Sequence, residues 1–170
     1  IYVTGGSQGA EYLNKNLPKV FGQINCKINI KHQCGVGKLS DVKTLYLEAN
    51  IDAEVQEFYK NPQSLIEWSD FVITRSGALS ISEISSMGRG MVMVPLPSSI
   101  DNHQFYNAKY IENIGMGIVH SQENGLSDLE IKLSQVIDKK IYNDWKSKTN
   151  LEHLNAASFI SSKIIEYLSK

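Results

Sequence analysis

Three short segments of this chain combine residue types that can grip a phosphorylated, hydroxyl-rich ligand. The first is Thr4-Gly5-Gly6-Ser7-Gln8-Gly9-Ala10, which follows an apolar run and opens a helical pattern. Glycines let the backbone turn tightly and approach a ligand with no Cβ in the way. The helix that follows offers unpaired N–H groups and the positive end of its dipole to an anion, and Ser7 can add a hydroxyl to the same phosphate. A plain tight turn between strand and helix favours the same residues, so the glycines alone leave both readings open.

The second segment is Arg75-Ser76-Gly77-Ala78-Leu79-Ser80-Ile81-Ser82-Glu83, directly after another apolar run. With a helix starting near Ala78, Glu83 lies over Leu79 and Ser80, one turn back on the same face. A carboxylate there suits a sugar diol, because it accepts two hydroxyl hydrogens at once. Ser80-x-x-Glu83 also fits a capping box, which needs no ligand. The third segment runs from Pro95-Leu96-Pro97 through Asp101-Asn102-His103-Gln104 to Asn107-Ala108. Gln104 has an amide that donates to and accepts from hexose hydroxyls, while Asp101-x-x-Gln104 is again a possible capping box. His103 by itself is the kind of residue more often found in a structural or surface role.

Several chemistries are excluded. A dinucleotide fingerprint requires G-x-G-x-x-G, and Gly5, Gly6 and Gly9 have the wrong spacing. Gly35-Val36-Gly37-Lys38 resembles the end of a P-loop, but His32 and Leu39 stand where that motif needs Gly and Ser or Thr. His32, His103, His120 and His153 are scattered, with no H-x-x-x-H, C-x-x-C or Asp-x-Asp to hold a metal.

These segments need a scaffold that carries them to one edge. Short apolar runs alternate with helical patterns, the mark of a βαβ progression and an α/β fold on a parallel sheet. The pattern predicts strands at Ile1–Thr4, Cys26–His32, Ala53–Phe58, Phe71–Thr74, Met91–Val94 and Gly117–His120. It predicts helices from the glycine turn to about Gln23 and over Asp41–Glu48, Asn61–Trp68, Leu79–Met87 and His103–Asn113, with two or three more to the end. The last of these, Glu152–Leu168, carries Leu154, Ala157, Ile160, Ile164 and Leu168 on one face, which either caps this sheet or packs on another domain. Ligands on open α/β sheets bind at the carboxyl ends of strands, and all three segments follow predicted strands.

At 170 residues, with 42% apolar and 21% charged, the chain has the size and balance of one soluble globular domain. A net charge of −1 gives no pull toward nucleic acid or an anionic membrane. Cys26 and Cys34 sit at the two ends of one predicted extended segment, roughly 26 Å apart at ~3.3 Å per residue, beyond disulfide reach. Unpaired thiols fit a reducing, cytoplasmic setting. The chain opens at Ile1 inside an apolar run with no Met, which reads as a domain from a longer protein.

Taken together and in order, Gly5-Gly6-Ser7-Gln8-Gly9-Ala10, Arg75-Ser76-Gly77-Ala78-Leu79-Ser80 with Glu83, and Asp101-Asn102-His103-Gln104 with Asn107-Ala108 closely resemble the C-terminal half of the MurG family. Glu57-Phe58-Tyr59 and Trp68-Ser69-Asp70-Phe71 resemble it between them, so the likeness runs the length of the chain. The resemblance implies a Rossmann-like, doubly wound domain, one half of a two-domain GT-B glycosyltransferase, with residues 1–170 binding the donor and the N-terminal acceptor domain absent. It implies UDP-N-acetylglucosamine as donor, no required cofactor, and inverting transfer to a membrane lipid-linked muramoyl-pentapeptide in peptidoglycan synthesis. The partners implied are the UDP-sugar, the chain's own N-terminal domain and the lipid-linked acceptor. The place implied is the cytoplasmic face of the bacterial inner membrane.

Carried onto this sequence, the resemblance assigns Gly5, Gly6, Ser7, Gln8 and Gly9 to the diphosphate, the Tyr59 backbone to uracil and Glu83 to the ribose hydroxyls. Arg75, Gly77, Ala78, Leu79 and Ser80 would line the pyrophosphate and sugar, and His103 and Gln104 would meet the N-acetylglucosamine. The base would lie on the missing half, leaving no catalytic residue here and an inactive fragment. Ser80 stands where the family usually has Thr, Tyr59 where it has an aliphatic residue, and Glu57 and Pro62 also differ. A UDP-sugar epimerase or another transferase of the same fold is the nearest rival. A nicotinamide-dependent oxidoreductase and a non-catalytic nucleotide-binding module are the others.

Overall fold

The computed structural model describes residues 1–148 together with 161, 162, 164, 165 and 167. Six strands, β1 (Tyr2–Thr4), β2 (Ile30–Gln33), β3 (Ala53–Gln56), β4 (Phe71–Thr74), β5 (Gly90–Met93) and β6 (Gly117–Val119), form one sheet in the order β3-β2-β1-β4-β5-β6. All five pairings are parallel. Helices α1 (Glu11–Gln23), α2 (Leu39–Glu48), α3 (Pro62–Trp68), α4 (Ala78–Ser86), α5 (His103–Asn113) and α6 (Gly125–Asp138) follow the strands in turn, and α7 (Tyr142–Lys146) comes after α6. This is the doubly wound, Rossmann-like order. The chain winds outward from β1 to β3, then returns to β4 on the other side of β1. The strand order thus reverses between β1 and β4, and ligands on open sheets of this kind bind at the carboxyl ends flanking such a switch point.

The strands are short, and the central β1, β4 and β5 are buried on both faces, so alternate residues supply two cores. Val3, Phe71, Ile73, Val92 and Val94 face α1, α2 and α6, while Tyr2, Val72, Met91 and Met93 face α3, α4 and α5. Register sets the height of the loops above this layer. Thr4 pairs with Thr74 and Thr74 with Met93, so the chain leaves β1, β4 and β5 at one level.

Most predicted elements fall within a residue or two of the observed ones. The second strand is the exception: Cys26–His32 was expected, whereas pairing begins at Ile30 and runs to Gln33. Residues 26–29 have no strand beside them, because β3 begins opposite Ile30 and β1 opposite Lys31. The extended separation expected for the two cysteines therefore does not hold along the whole segment, although both are free thiols. The third strand stops at Gln56, two residues before the expected Phe58. Most of the expected terminal helix, including Leu154, Ala157 and Ile160, lies outside the described residues. Among the described residues no helix is long and apolar enough to cross a membrane.

Candidate functional site

The turn after β1 is built by glycine geometry. A Cβ on Gly5 would overlap the backbone of Gly9 and Ala10. Gly9, at φ +67°, has its Cα pressed against the Cys34 carbonyl, and Gly35 is pressed in return against Gln8. The two loops interlock, and Lys38 Nζ donates to the Gln8 carbonyl at 2.8 Å. The segment that resembled a P-loop is thus a brace for the first loop. Within the turn, Gly6 N–H donates to Thr4 Oγ1 at 3.1 Å and Gly9 N–H to the Gly6 carbonyl at 3.1 Å. Both groups are used internally, which leaves the exposed Ser7 and Gln8 and the start of α1 as the outward-facing part. No side chain caps α1.

Gly77 is the N-cap of α4 and supplies no side-chain hydrogen bond to it. Its φ of −66° suits any residue, and a Cβ there would meet nothing within 4 Å. Neither strain nor packing requires glycine at this position, and the space above the first N–H groups of α4 is open. Ser80 is the third residue of the helix, not its cap, so the capping-box reading of Ser80 and Glu83 fails. Glu83 is half-buried on the second turn, and its carboxylate makes no hydrogen bond or ion pair among the described residues. Leu79 is 88% exposed beside it.

Arg75 is turned onto the neighbouring loop, with Nη1 donating to the Val94 and Pro95 carbonyls at 2.8 and 3.1 Å. Burial lowers its pKa, partly offset by Tyr12. Its observed role is to hold the β5 loop against the β4 loop. Ser76 Oγ donates to the Gln104 carbonyl at 2.7 Å, and Asn107 Nδ2 donates back to the Ser76 carbonyl at 3.1 Å. The Gln104 side chain accepts from Leu96 N–H at 3.0 Å. This corrects the expectation that the amide faces a ligand with both functions: its oxygen is committed, and the NH₂ is what remains. The second capping box is also absent. Asp101 and Asn102 are both left-handed, at φ 49° and 53°, and no side chain caps α5. His103 is exposed and its Nδ1 bonds the Ile100 carbonyl at 2.8 Å, which leaves Nε2 outward.

At Tyr59 the structure narrows which backbone group is available. Its N–H donates to Gln33 Oε1 at 3.1 Å, so a base approaching this backbone meets the carbonyl and not the N–H. Gln33 Nε2 donates to the Gly6 carbonyl at 3.0 Å, tying the β1 and β3 loops through the end of β2. Gln33 was missed from the sequence because a polar residue closing a short strand carries no distinguishing spacing. A second missed group is the chain from Tyr12 Oη to His120 Nε2 (3.0 Å), His120 Nδ1 to Asp128 (2.7 Å) and Lys132 Nζ to Asp128 (2.8 Å), which joins α1, β6 and α6. Burial lowers the His120 pKa against the opposing pull of Asp128.

The predicted site residues therefore follow the carboxyl ends of β1, β3, β4 and β5, and two hydrogen-bonded groups hold part of them. Gly5–Gly9 and Tyr59 are joined by Gln33; Arg75–Gly77 and Gln104 are joined by Ser76 and Asn107. The β1–β4 register sets the groups side by side across the switch point. A hollow of about 260 Å³ at this edge is lined by Pro95, Leu96, Pro97, Asn102 and Phe105, next to His103 and Gln104 but away from Gly6 and Glu83. A larger one, about 360 Å³, lies at the opposite edge between the end of α2 and the start of β3.

The model of the glycosyltransferase family 28 C-terminal domain matches residues 1–163. The chain is similar to a UDP-N-acetylglucosamine–N-acetylmuramyl-(pentapeptide) pyrophosphoryl-undecaprenol N-acetylglucosamine transferase of Pseudomonas entomophila, 37% identical over 140 residues, covering 81% of this chain and 39% of that one. The enzyme of the same name from Haemophilus influenzae Rd is 33% identical over 169 residues, covering 98% of this chain and 48% of the relative. Among solved structures, Acinetobacter baumannii MurG aligns with a TM-score of 0.81 at 30% identity, over 85% of this chain and 43% of its own. The glycotransferase of kitacinnamycin aligns at 0.64 and 18% identity, over 86% and 36%, a likeness of fold alone. The chain thus spans less than half the length of these relatives.

Proposed function

The chain belongs to the glycosyltransferase family 28 C-terminal domains, and from that premise we propose that it is the donor-nucleotide half of an inverting N-acetylglucosaminyltransferase. Its donor is UDP-N-acetylglucosamine, taken without a cofactor or metal. Its acceptor is the lipid-linked muramoyl-pentapeptide named for the relatives, presented at the cytoplasmic face of the bacterial inner membrane. The observation that carries this reading is at α4. Its N-terminus is left open by Gly77, and one turn on stands a carboxylate that, among the described residues, serves no cap and no ion pair.

In this reading Ser7, Gln8 and the start of α4 hold the diphosphate, Glu83 accepts from both ribose hydroxyls, and His103 Nε2 and the Gln104 NH₂ meet the sugar. The acceptor oxygen forms its bond to the anomeric carbon as the bond from that carbon to the β-phosphate oxygen breaks, and the electron pair leaves with UDP. The acceptor proton passes to a base on the other half. This half contributes N–H groups and a helix dipole where the leaving charge develops, and it removes the entropy of encounter. Alone it binds donor and does not turn over.

Titrating UDP-N-acetylglucosamine into the wild type and Glu83→Ala tests the assignment. Losing charge-assisted ribose hydrogen bonds should weaken binding by roughly 1.5–3 kcal/mol with the melting temperature almost unmoved. A loss of about 1 kcal/mol in stability with affinity intact marks a merely structural glutamate. UDP-N-acetylgalactosamine binding as tightly as the gluco donor favours the epimerase or another transferase.

A further inference from the structure

We propose that the Tyr2 hydroxyl is a positioning group for Glu83, donating a hydrogen bond to its carboxylate when a ribose is held; this deepens, and rests on, the donor reading above. Tyr2 is 1% exposed, packed in one core with Ile81 and Ile84 of α4, and its hydroxyl has no hydrogen-bond partner among the described residues. An unpaired buried hydroxyl costs free energy, and phenylalanine would fill the same space without that cost. The arrangement makes sense if a second arrangement of the site supplies the partner.

Glu83 lies on α4 between Ile81 and Ile84, which pack in the same core as Tyr2. Thr4, two residues along the same face of β1, accepts from Gly6 N–H at 3.1 Å and lies 3.5 Å from the Gln33 amide. It is near enough to influence the Tyr2 phenol but outside hydrogen-bonding geometry. The Tyr2 ring stands edge-on to Tyr59, with centroids 6.2 Å apart and planes at 83°. Tyr59 is itself fixed through its N–H to Gln33 and its hydroxyl to Glu54. The phenol is thus held between the Tyr59 loop and α4, the two elements assigned to base and ribose.

Burial first, and the Glu83 charge as well, push the Tyr2 pKa up, so the group is an O–H donor at every working pH. Glu83, unpaired among the described residues, is an acceptor with about four lone-pair sites, enough for the phenol and both ribose hydroxyls together. The bond is not made in the arrangement described, so Glu83 must turn inward by a rotamer change to take it. Once anchored, the carboxylate has one orientation to offer the diol.

UDP titrations into the wild-type chain, Tyr2→Phe, Glu83→Ala and the double variant, with a melting temperature for each, test this. Tyr2→Phe should weaken UDP about fivefold to tenfold, while its melting temperature stays level or rises. The double variant should bind no more weakly than Glu83→Ala alone. An unchanged UDP affinity in Tyr2→Phe, or the same loss from Tyr2→Phe in both backgrounds, overturns the inference while leaving the donor reading standing if Glu83→Ala still weakens UDP. If the wild type takes up no UDP, or Glu83→Ala is silent, the donor reading fails and this inference falls with it.

Discussion

Gly9 and Gly77 are the same residue held for opposite reasons. Gly9 adopts φ +67° against the Cys34 carbonyl, where any side chain overlaps backbone. Gly77 has ordinary backbone and open space around it. Gly9→Ala should therefore destabilise the fold by about 2 kcal/mol or more, through strain and forced separation of the two loops. Gly77→Ala should leave stability within about 0.5 kcal/mol yet weaken UDP-N-acetylglucosamine by roughly tenfold, because a methyl group would occupy space the diphosphate needs. Urea denaturation and titration of the two variants separate these outcomes; full affinity in Gly77→Ala would mean that nothing approaches α4 there. At this scale the sequence marked residues that the fold carries to one edge but left their roles divided. Ser80 and Glu83 fit a capping box as well as a diol site, and only the position of the cap, at Gly77, removes the first. Gln104 was legible as polar and well placed, but not that its oxygen is taken by Leu96. Gln33 was not legible at all, because its two partners come from loops distant in sequence.

Elements were more legible than residues, since alternating apolar runs are enforced by burial on both faces of the sheet. Where a strand begins was less so. The segment at 26–29 has the right composition, but a strand exists only beside a partner, and pairing starts at Ile30. What fixes the elements to one another is also polar and buried. His32 is fully buried, with Nδ1 at 2.9 Å from Tyr46 Oη and Nε2 at 3.0 Å from Asn14 Oδ1, and Asn14 in turn donates to the Cys34 carbonyl at 2.8 Å. The network joins α1, α2 and the end of β2 beneath the interlocked loops, and burial lowers the His32 pKa to about 3. A folded-state pKa below the unfolded value makes this stability complete above pH 6.5, and it is lost as pH falls toward 3, at about 1.4 kcal/mol per pH unit. His120 shifts in the same direction. The urea midpoint should fall between pH 6.5 and 5, before most carboxylates titrate, and His32→Gln should flatten part of that slope whatever its absolute stability. A wild-type midpoint constant across that window would show that His32 is not held neutral.

For the whole molecule, topology does what no single residue can. Loops separated by up to a hundred residues meet because β1, β4 and β5 are central, parallel and in register, and because the strand order reverses between β1 and β4. The alternating pattern implied a parallel sheet, and the three motifs in order implied the family. The strand order itself, and which edge hollow matters, required coordinates. The larger hollow lies at the wrong edge for a nucleotide, lined by Lys43, Tyr46 and Asp52 among others. An amide chemical-shift titration of the chain with UDP-N-acetylglucosamine distinguishes the two edges in one experiment. Shifts at Ser7 and Gln8, at Ala78 to Glu83 and at His103 and Gln104, saturating together at one ligand concentration, are what a single donor crevice predicts. Shifts confined to Lys43–Ala53, or the three segments responding at unlike concentrations, would contradict it.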